Sequence, residues 1–145
     1  MDSRHLCKAK VIDSKKWIEG FYVEHRKKTL YADDELSDDD IEHLIMCDSF
    51  SDWGMPRKLN AYKIDPATLC RCTGLKDENN KLIWERDIAV NTKTDEICEI
   101  LWDTDTASFI IKSADVIYSF DNFWSNELVI TGNEIDNPEL LEKRR

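Results

Sequence analysis

The segment "TGLKDENNKLIWERDIAV", residues 73–90, joins two apolar runs through a stretch rich in acids and asparagines. Asparagine and aspartate tolerate the left-handed backbone region and hydrogen-bond to their own backbone. Asn79–Asn80 can therefore replace the Asn-Gly pair that tight hairpins favour. The segment predicts a β-hairpin whose turn begins at Asp77, with the charged side chains in water.

A calcium loop is one chemical alternative for these acids. A loop of the EF-hand type that began at Asp77 would need an oxygen ligand at its fifth position, glycine at its sixth and glutamate at its twelfth. The sequence has Lys81, Leu82 and Ile88 at those positions. The calcium hypothesis therefore fails on residue type alone.

A catalytic carboxylate pair is the other alternative. Glu85 and Asp87 lie at positions i and i+2 of a predicted strand, so their side chains would share one face. Acid–base catalysis also needs a cleft that separates the pKa values of the two groups, and the sequence shows no cleft. An enzyme whose site is assembled from distant residues, such as these two acids and a histidine, remains an open hypothesis.

Strand-like segments occupy most of the remaining chain, because β-branched and aromatic residues are enriched in them. In the first hairpin, Trp17, Phe21 and Val23 are available for one face. Many short strands at close spacing predict a mainly β protein with minor helix, built as an antiparallel sheet or a small barrel. The segments are residues 7–13, 17–25, 58–65, 96–103, 107–113, 115–124 and 126–132.

An acidic helix is predicted over residues 37–46. Ser37 is a good N-cap residue, and the three aspartates after it lie where the helix dipole favours negative charge. Ile41, Leu44 and Ile45 then form an apolar stripe with helical spacing. The surrounding acidic insertion, about residues 33–48, carries more charge than capping requires.

That surplus charge suggests an acidic face for a basic partner protein. Trp53 lies in a predicted loop, residues 47–58, and either covers the core or makes an exposed contact. The candidate partner-binding residues are Asp38, Asp39, Asp40, Glu42 and Trp53.

A short C-terminal helix is predicted over residues 137–145. Asn137 is its cap and Pro138 occupies its first position, where proline is favoured. The basic residues 143–145 suit the C-terminal end of a helix. Together with residues 25–28 they are the two candidate basic patches for nucleic acid.

Length and composition set the broad class. The chain of 145 residues fits one domain, residues 1–145, and its 41% hydrophobic content suffices for a packed core. The net charge of −10 opposes direct binding to nucleic acid. No apolar run reaches the length of a membrane span and no apolar signal region opens the chain, so we expect a cytoplasmic protein without membrane contact.

Five cysteines without a secretion signal predict reduced thiols. Cys70 and Cys72 form a Cys-x-Cys pair that invites a metal hypothesis together with Cys98 or a histidine. Structural zinc sites usually offer two such knuckles, and the sequence has one. We therefore expect two thiols on one face of a strand, and no metal, cofactor or catalytic residue.

Residues 64–90, "IDPATLCRCTGLKDENNKLIWERDIAV", resemble the YopX family of bacteriophage and prophage proteins. The opening residues 10–25 and the closing residues 130–141 are similar to the ends of that family, so the best-matched core spans 58–141. Within the central motif, the matching residues are Pro66, Thr68, Thr73, Gly74, Leu75, Asp77, Asn79, Lys81, Ile83, Glu85, Asp87 and Ile88.

Two departures from the family pattern stand out. Asn80 and Arg86 occupy positions where the family usually has glycine, and the charged Arg86 has no explanation from the sequence. The resemblance implies a small, mainly β protein of a phage or an integrated element, and its Gly-Asp-Ile pattern is similar to a strand start in SH3-like barrels. It implies no catalytic residues, because the family is essentially uncharacterised.

Three functions therefore compete. The first is a non-enzymatic, self-associating interaction protein of the bacterial cytoplasm that also binds an unidentified host or phage protein. The second is a nucleic-acid-associated protein or an acidic mimic of DNA. The third is an enzyme whose site the sequence does not reveal.

Overall fold

The computed structural model describes residues 2–28, 35, 37–49, 54–55, 57–121 and 125–143. No helix in these ranges is long and apolar enough to cross a bilayer. The strands within them are β1 (Cys7–Lys10), β2 (Trp17–Arg26), β3 (Ile41–Ser49), β4 (Lys58–Lys63), β5 (Cys70–Lys76), β6 (Leu82–Trp84), β7 (Asp87–Asn91), β8 (Ile97–Asp103), β9 (Ser108–Ser113), β10 (Val116–Ser119) and β11 (Leu128–Asn133), and the helix is α1 (Glu139–Glu142).

The chain divides into two compact units, residues 5–69 and residues 70–145 with 1–4. In the first unit, β4, β3, β2 and β1 lie side by side, each antiparallel to its neighbour. In the second, β5 and β6 form a hairpin and the order β10-β9-β8-β7-β11 forms a five-stranded antiparallel sheet. The predicted mainly β class is confirmed in its open-sheet form, since the described strands close no barrel.

The predicted hairpin within residues 73–90 is present, and its first acid is structural. Asp77 directly follows β5 and is only 5% exposed, so the prediction that its charged side chain lies in water is wrong. Its Oδ1 accepts hydrogen bonds from the backbone N–H groups of Asn79 and Lys81, each at 2.9 Å. Its Oδ2 accepts from the N–H of Ile130 in β11 at 3.1 Å. The carboxylate therefore shapes the turn and ties it to the neighbouring strand.

The second half of the stretch differs from the prediction, because a tight turn separates β6 from β7 at Glu85 and Arg86. Asp87 is 2% exposed, and its Oδ2 accepts a hydrogen bond of 2.8 Å from the N–H of Trp84 across this turn. The prediction that Glu85 and Asp87 lie at i and i+2 of one strand is therefore wrong. The short polar side chain of the aspartate closes the turn.

A positive φ explains both departures from the family pattern, one in each of the two turns. Arg86 has φ 68° and Asn80 has φ 65°, in the left-handed region where a Cβ atom is unfavourable and glycine is not penalised. The backbone of Arg86 is fixed on both sides, since its N–H donates to the carbonyl of Ile100 at 2.6 Å and its own carbonyl accepts from Glu134 at 2.9 Å.

The predicted helix over residues 37–46 is wrong. Residues 38–40 form a single 3-10 turn, and β3 begins at Ile41. Ser37 still binds Asp40 at the start of the turn, because its N–H and its hydroxyl donate to the Asp40 carboxylate at 3.4 and 3.1 Å. Beyond it, pairing with β2 and β4 on both sides outweighs helical propensity.

The closing segment ends in the predicted helix, reduced to the single turn of α1. Asn133 accepts hydrogen bonds from the N–H groups of Ile135 and Asp136 at 3.0 and 2.8 Å, which form the turn before it. A Cβ atom at Gly132 would lie 2.5 Å from the Oδ1 of Asn137 and 3.0 Å from Leu140. Only glycine therefore lets the last turn fold back on β11.

Each unit has its own core. In residues 5–69, the buried cluster is Ala9, Ile45 and Ile64. In the second unit, it is Ile83, Ala89, Cys98, Ile100, Ile111 and Leu128. Cys70 and Cys72 are each 1% exposed and share one face of β5, as predicted for two thiols on a strand.

Removal of the Asp77 carboxylate tests its structural role. Because Asp77→Ala leaves three backbone N–H groups without their acceptor, we expect the free energy of unfolding to fall by about 2–4 kcal/mol. Urea unfolding measures it. The matched control is the exposed neighbour Glu78, where Glu78→Ala should change the value by less than about 0.5 kcal/mol. Equal effects of the two variants would contradict the role of Asp77.

The strain at Arg86 is tested by restoring glycine. Arg86→Gly removes a Cβ atom from the left-handed region, so we expect the free energy of unfolding to rise by about 1 kcal/mol. Asn80→Gly should give a smaller rise, because asparagine tolerates this region. The same urea titration compares them. A loss of stability in Arg86→Gly would show that contacts of the arginine side chain outweigh the strain.

Candidate interaction surface

An apolar band lies across one face of the sheet in residues 5–69. In the strand register, Phe21 is directly opposite Met46, which is opposite Ala61, and Val23 is opposite Leu44. Directly opposed residues point to the same side of a sheet. We call this set, together with Leu59 on the same side of β4, the β2–β4 face.

The β2–β4 face is turned away from the core of its unit. The buried residue Ile45 has the opposite parity in β3, so it points to the other side of the sheet. Phe21 is 43% exposed and Leu59 is 66% exposed, whereas Met46 and Leu44 are half-buried. The prediction that Trp17, Phe21 and Val23 share a face is confirmed, but that face is not the one that carries the core.

Two lysines of β1 and the ring of Trp17 in β2 border this face. Lys10 is opposite Trp17 and Lys8 is opposite Glu19, all on the same side as Phe21. The Nζ atoms of Lys8 and Lys10 lie 4.8 and 5.5 Å from the centroid of the Trp17 ring. Such cation–π contacts hold both lysines against the sheet.

The acidic turn lies beside the predicted basic cluster rather than apart from it. Asp40 is 3.5 Å from the Nζ of Lys28, and Glu42 is 3.5 Å from both His25 and the Nζ of Lys63. The two clusters that the sequence offered as separate partner sites thus pair with each other.

These contacts lower the pKa of both acids. Partial burial by itself would raise the pKa of Asp40, but hydrogen bonds from Ser37 and the charge of Lys28 outweigh it. Partial burial would likewise raise the pKa of Glu42, yet the charge of Lys63 and a hydrogen bond from His25 lower it. Both carboxylates are therefore held in the charged form within the chain.

The remaining predicted partner residues have different positions. Asp38 and Asp39 are exposed on the 3-10 turn. Trp53 lies outside the described residues. Of the four acids predicted to bind a partner, Asp38 and Asp39 are therefore the two that remain exposed.

The acids that suggested metal binding or acid–base chemistry make hydrogen bonds within the fold. Among the described residues, no group of three or more histidine, cysteine or acidic side chains is placed to hold a metal ion. Glu85 accepts hydrogen bonds from the backbone N–H and the Nε of Arg71 at 3.2 and 3.4 Å. Asp87 closes the turn before β7.

The fold defines a mainly β protein with two units, each built of antiparallel strands, and with an apolar sheet face on the first. The family model described as YopX protein matches residues 8–142. The chain belongs to the YopX family, as the sequence resemblance indicated. No curated protein matches it.

The motif that identified the family is a set of fold-determining contacts. The hydroxyl of Thr73 donates to the carbonyl of Ile83 at 2.7 Å, across the β5–β6 hairpin. Asp77 and Asp87 each hold a turn through backbone N–H groups. The central motif therefore specifies the architecture, and none of its residues lies on the β2–β4 face, although Phe21 and Val23 fall within the matched opening residues 10–25.

The lowered pKa values predict a loss of stability in acid. A carboxylate with a depressed pKa in the folded state stabilises the protein above its unfolded pKa and loses that contribution as the pH falls. We expect the combined change Asp40→Asn and Glu42→Gln to reduce the loss of unfolding free energy between about pH 6 and about pH 3.

The matched control changes the two exposed acids, Asp38→Asn and Asp39→Asn, and should leave the pH dependence closer to that of the wild type. Thermal unfolding at several pH values measures both. A pH dependence that is the same in the two double variants would contradict the assignment.

Proposed function

We propose that this protein is a non-enzymatic interaction module that self-associates through the β2–β4 face. The observation that carries the proposal is the apolar band with Phe21 and Leu59 exposed on the side of the sheet opposite the core. Exposed apolar patches with polar rims mark interaction sites on soluble proteins.

The geometry of the face suits a second copy of the same chain. Two antiparallel sheets pack face to face when each offers a continuous row of apolar side chains, and Phe21, Met46 and Ala61 form such a row. A two-fold dimer uses the same surface on both copies. The edge of the β2–β4 face also suits a two-fold dimer, because Lys8 and Glu19 lie side by side there and provide both signs of charge.

Net charge makes the association depend on salt in a diagnostic direction. Each copy carries −10, so two copies repel at long range and added salt screens that repulsion. Self-association should therefore strengthen with salt. A complex with a basic partner at Asp38 and Asp39 should weaken instead, which separates the two kinds of partner.

A partner protein of the host or phage is the second part of the proposal. The exposed pair Asp38 and Asp39 supports it, since these acids lie on the turn that leads directly into β3. The family resemblance supports a phage or prophage origin and action in the bacterial cytoplasm. Nucleic acid is the alternative, and a gel shift at low salt, where phosphate contacts are strongest, tests it.

Oligomeric state tests the proposal directly. We expect the wild type to dimerise at about 100 µM, and Phe21→Ser or Leu59→Lys to shift it to monomer because each places a polar group in the apolar band. Sedimentation velocity measures the distribution at low and high salt.

The matched control is Ile117→Ser, which changes a side chain of comparable exposure, 60%, on β10 of the other unit. It should leave the dimer intact. A wild type that stays monomeric at high salt, or a control variant that dissociates as readily as Phe21→Ser, would overturn self-association through this face.

A further inference from the structure

An open cavity of about 480 Å³ lies within the unit of residues 70–145 and 1–4. Its volume falls in the range of about 300–1,000 Å³ that is usual for small-molecule sites. Its wall combines aromatic rings, guanidinium groups and hydroxyls. The residues that carry the argument are Arg4, Arg71, Thr73, Trp102, Ser108 and Phe109.

The aromatic wall is rigidly placed by the sheet. Trp102 in β8 is directly opposite Phe109 in β9. Their rings meet edge to face with centroids 5.0 Å apart, a favoured geometry for an aromatic pair. A preformed aromatic surface of this kind suits a flat ligand that stacks on it.

Arg71 places a positive charge on that surface. Its guanidinium carbon lies 4.4 Å from the centroid of the Trp102 ring, within the range of a cation–π contact. Its Nε donates to Glu85 at 3.4 Å, and Glu85 also accepts from the backbone N–H of Arg71. Within the described part of the chain, the hydrogen bonds of Arg71 use its backbone N–H and its Nε. The two terminal amino groups of its guanidinium can therefore donate to a ligand.

Arg4 brings a second guanidinium to the cavity. Its guanidinium is paired with the Asp2 carboxylate, to which its Nε donates at 2.7 Å, its Nη2 also donates, and its backbone N–H donates at 3.0 Å. Its side chain packs where Gly74, with φ 82°, has no Cβ atom, since a Cβ atom there would lie 2.5 Å from the arginine. The glycine of the hairpin thus makes room for a charged wall.

We infer that this cavity binds a small planar aromatic anion, with its ring against the wall of Trp102 and Phe109, beside the guanidinium that lies over Trp102, and its negative group at the terminal amino groups of Arg71. Arginine forks recognise carboxylate and phosphate in two-point geometry. The hydroxyls of Thr73 and Ser108 have near neighbours, Ile83 and Thr106, so charge and ring shape decide the ligand class. The inference is independent of self-association.

Two anionic probes with matched neutral analogues test it, using the full-length protein. They are benzoate with benzamide and adenosine monophosphate with adenosine, followed by calorimetry and by the indole signals in NMR spectra. We expect at least one anion to bind with a dissociation constant below about 1 mM and its neutral analogue to bind about tenfold more weakly. Preference between the anions separates an aromatic carboxylate from a nucleotide.

The variants locate the site. Arg71→Met keeps the length of the side chain and removes its charge, so it should weaken the bound anion about tenfold or more. Trp102→Phe, which retains a ring, should weaken it less, and guards against a variant that fails to fold. Lys76→Met, an exposed cation on the same strand, should have no effect.

Two results would overturn the inference. The first is that neither anion binds at about 5 mM, or that each neutral analogue binds as well as its anion. The second is that Lys76→Met weakens binding as much as Arg71→Met, because the effect would then reflect overall charge rather than this cavity.

Discussion

The carboxylate of Asp77 is the interaction on which the second unit depends. It is nearly inaccessible to solvent, yet it accepts hydrogen bonds from three backbone N–H groups. Two of these groups belong to the turn, and the third belongs to Ile130, which follows Lys81 by 49 positions in the sequence. Burial of a charged group is costly unless its hydrogen bonds are satisfied. The same bonds that satisfy it hold the β5–β6 turn against β11.

The other polar motif residues extend this arrangement. Asp87 and Thr73 also use a side-chain oxygen to engage backbone groups, one across a turn and one across a hairpin. The conspicuous polar signature of this family therefore has a structural role in this chain. In this chain these three side chains determine how the turns and the hairpin close.

Local patterns in the sequence predicted local structure well. The turn chemistry of Asp77 to Asn80 and the alternation of apolar residues identified most strands and the β5–β6 hairpin. The stretch before β7 was misjudged because a turn at Glu85 and Arg86 requires a positive φ at arginine, which sequence rules assign to glycine. The orientation of the first sheet was also beyond local rules, since Phe21 looks like a core residue until the register shows which face Ile45 occupies.

The cavity beside Arg71 escaped prediction for a similar reason. Its parts come from the N-terminus, β5, β8 and β9, and nothing in their spacing indicates that they meet. Charge clusters were equally hard to judge from sequence. Asp40 and Lys28 were read as members of opposing patches, whereas the sheet brings them within 3.5 Å.

The acidic turn that begins at Ser37 has a consequence for how the chain folds. Before the sheet exists, its cap, its first-turn aspartates and the spacing of Ile41 to Ile45 favour a nascent helix in the unfolded ensemble. The native structure places these same residues in β3, between two partner strands. Local preference and final fold are thus in conflict at one point of the chain, and any helix that forms there early has to give way to strand pairing when residues 5–69 assemble.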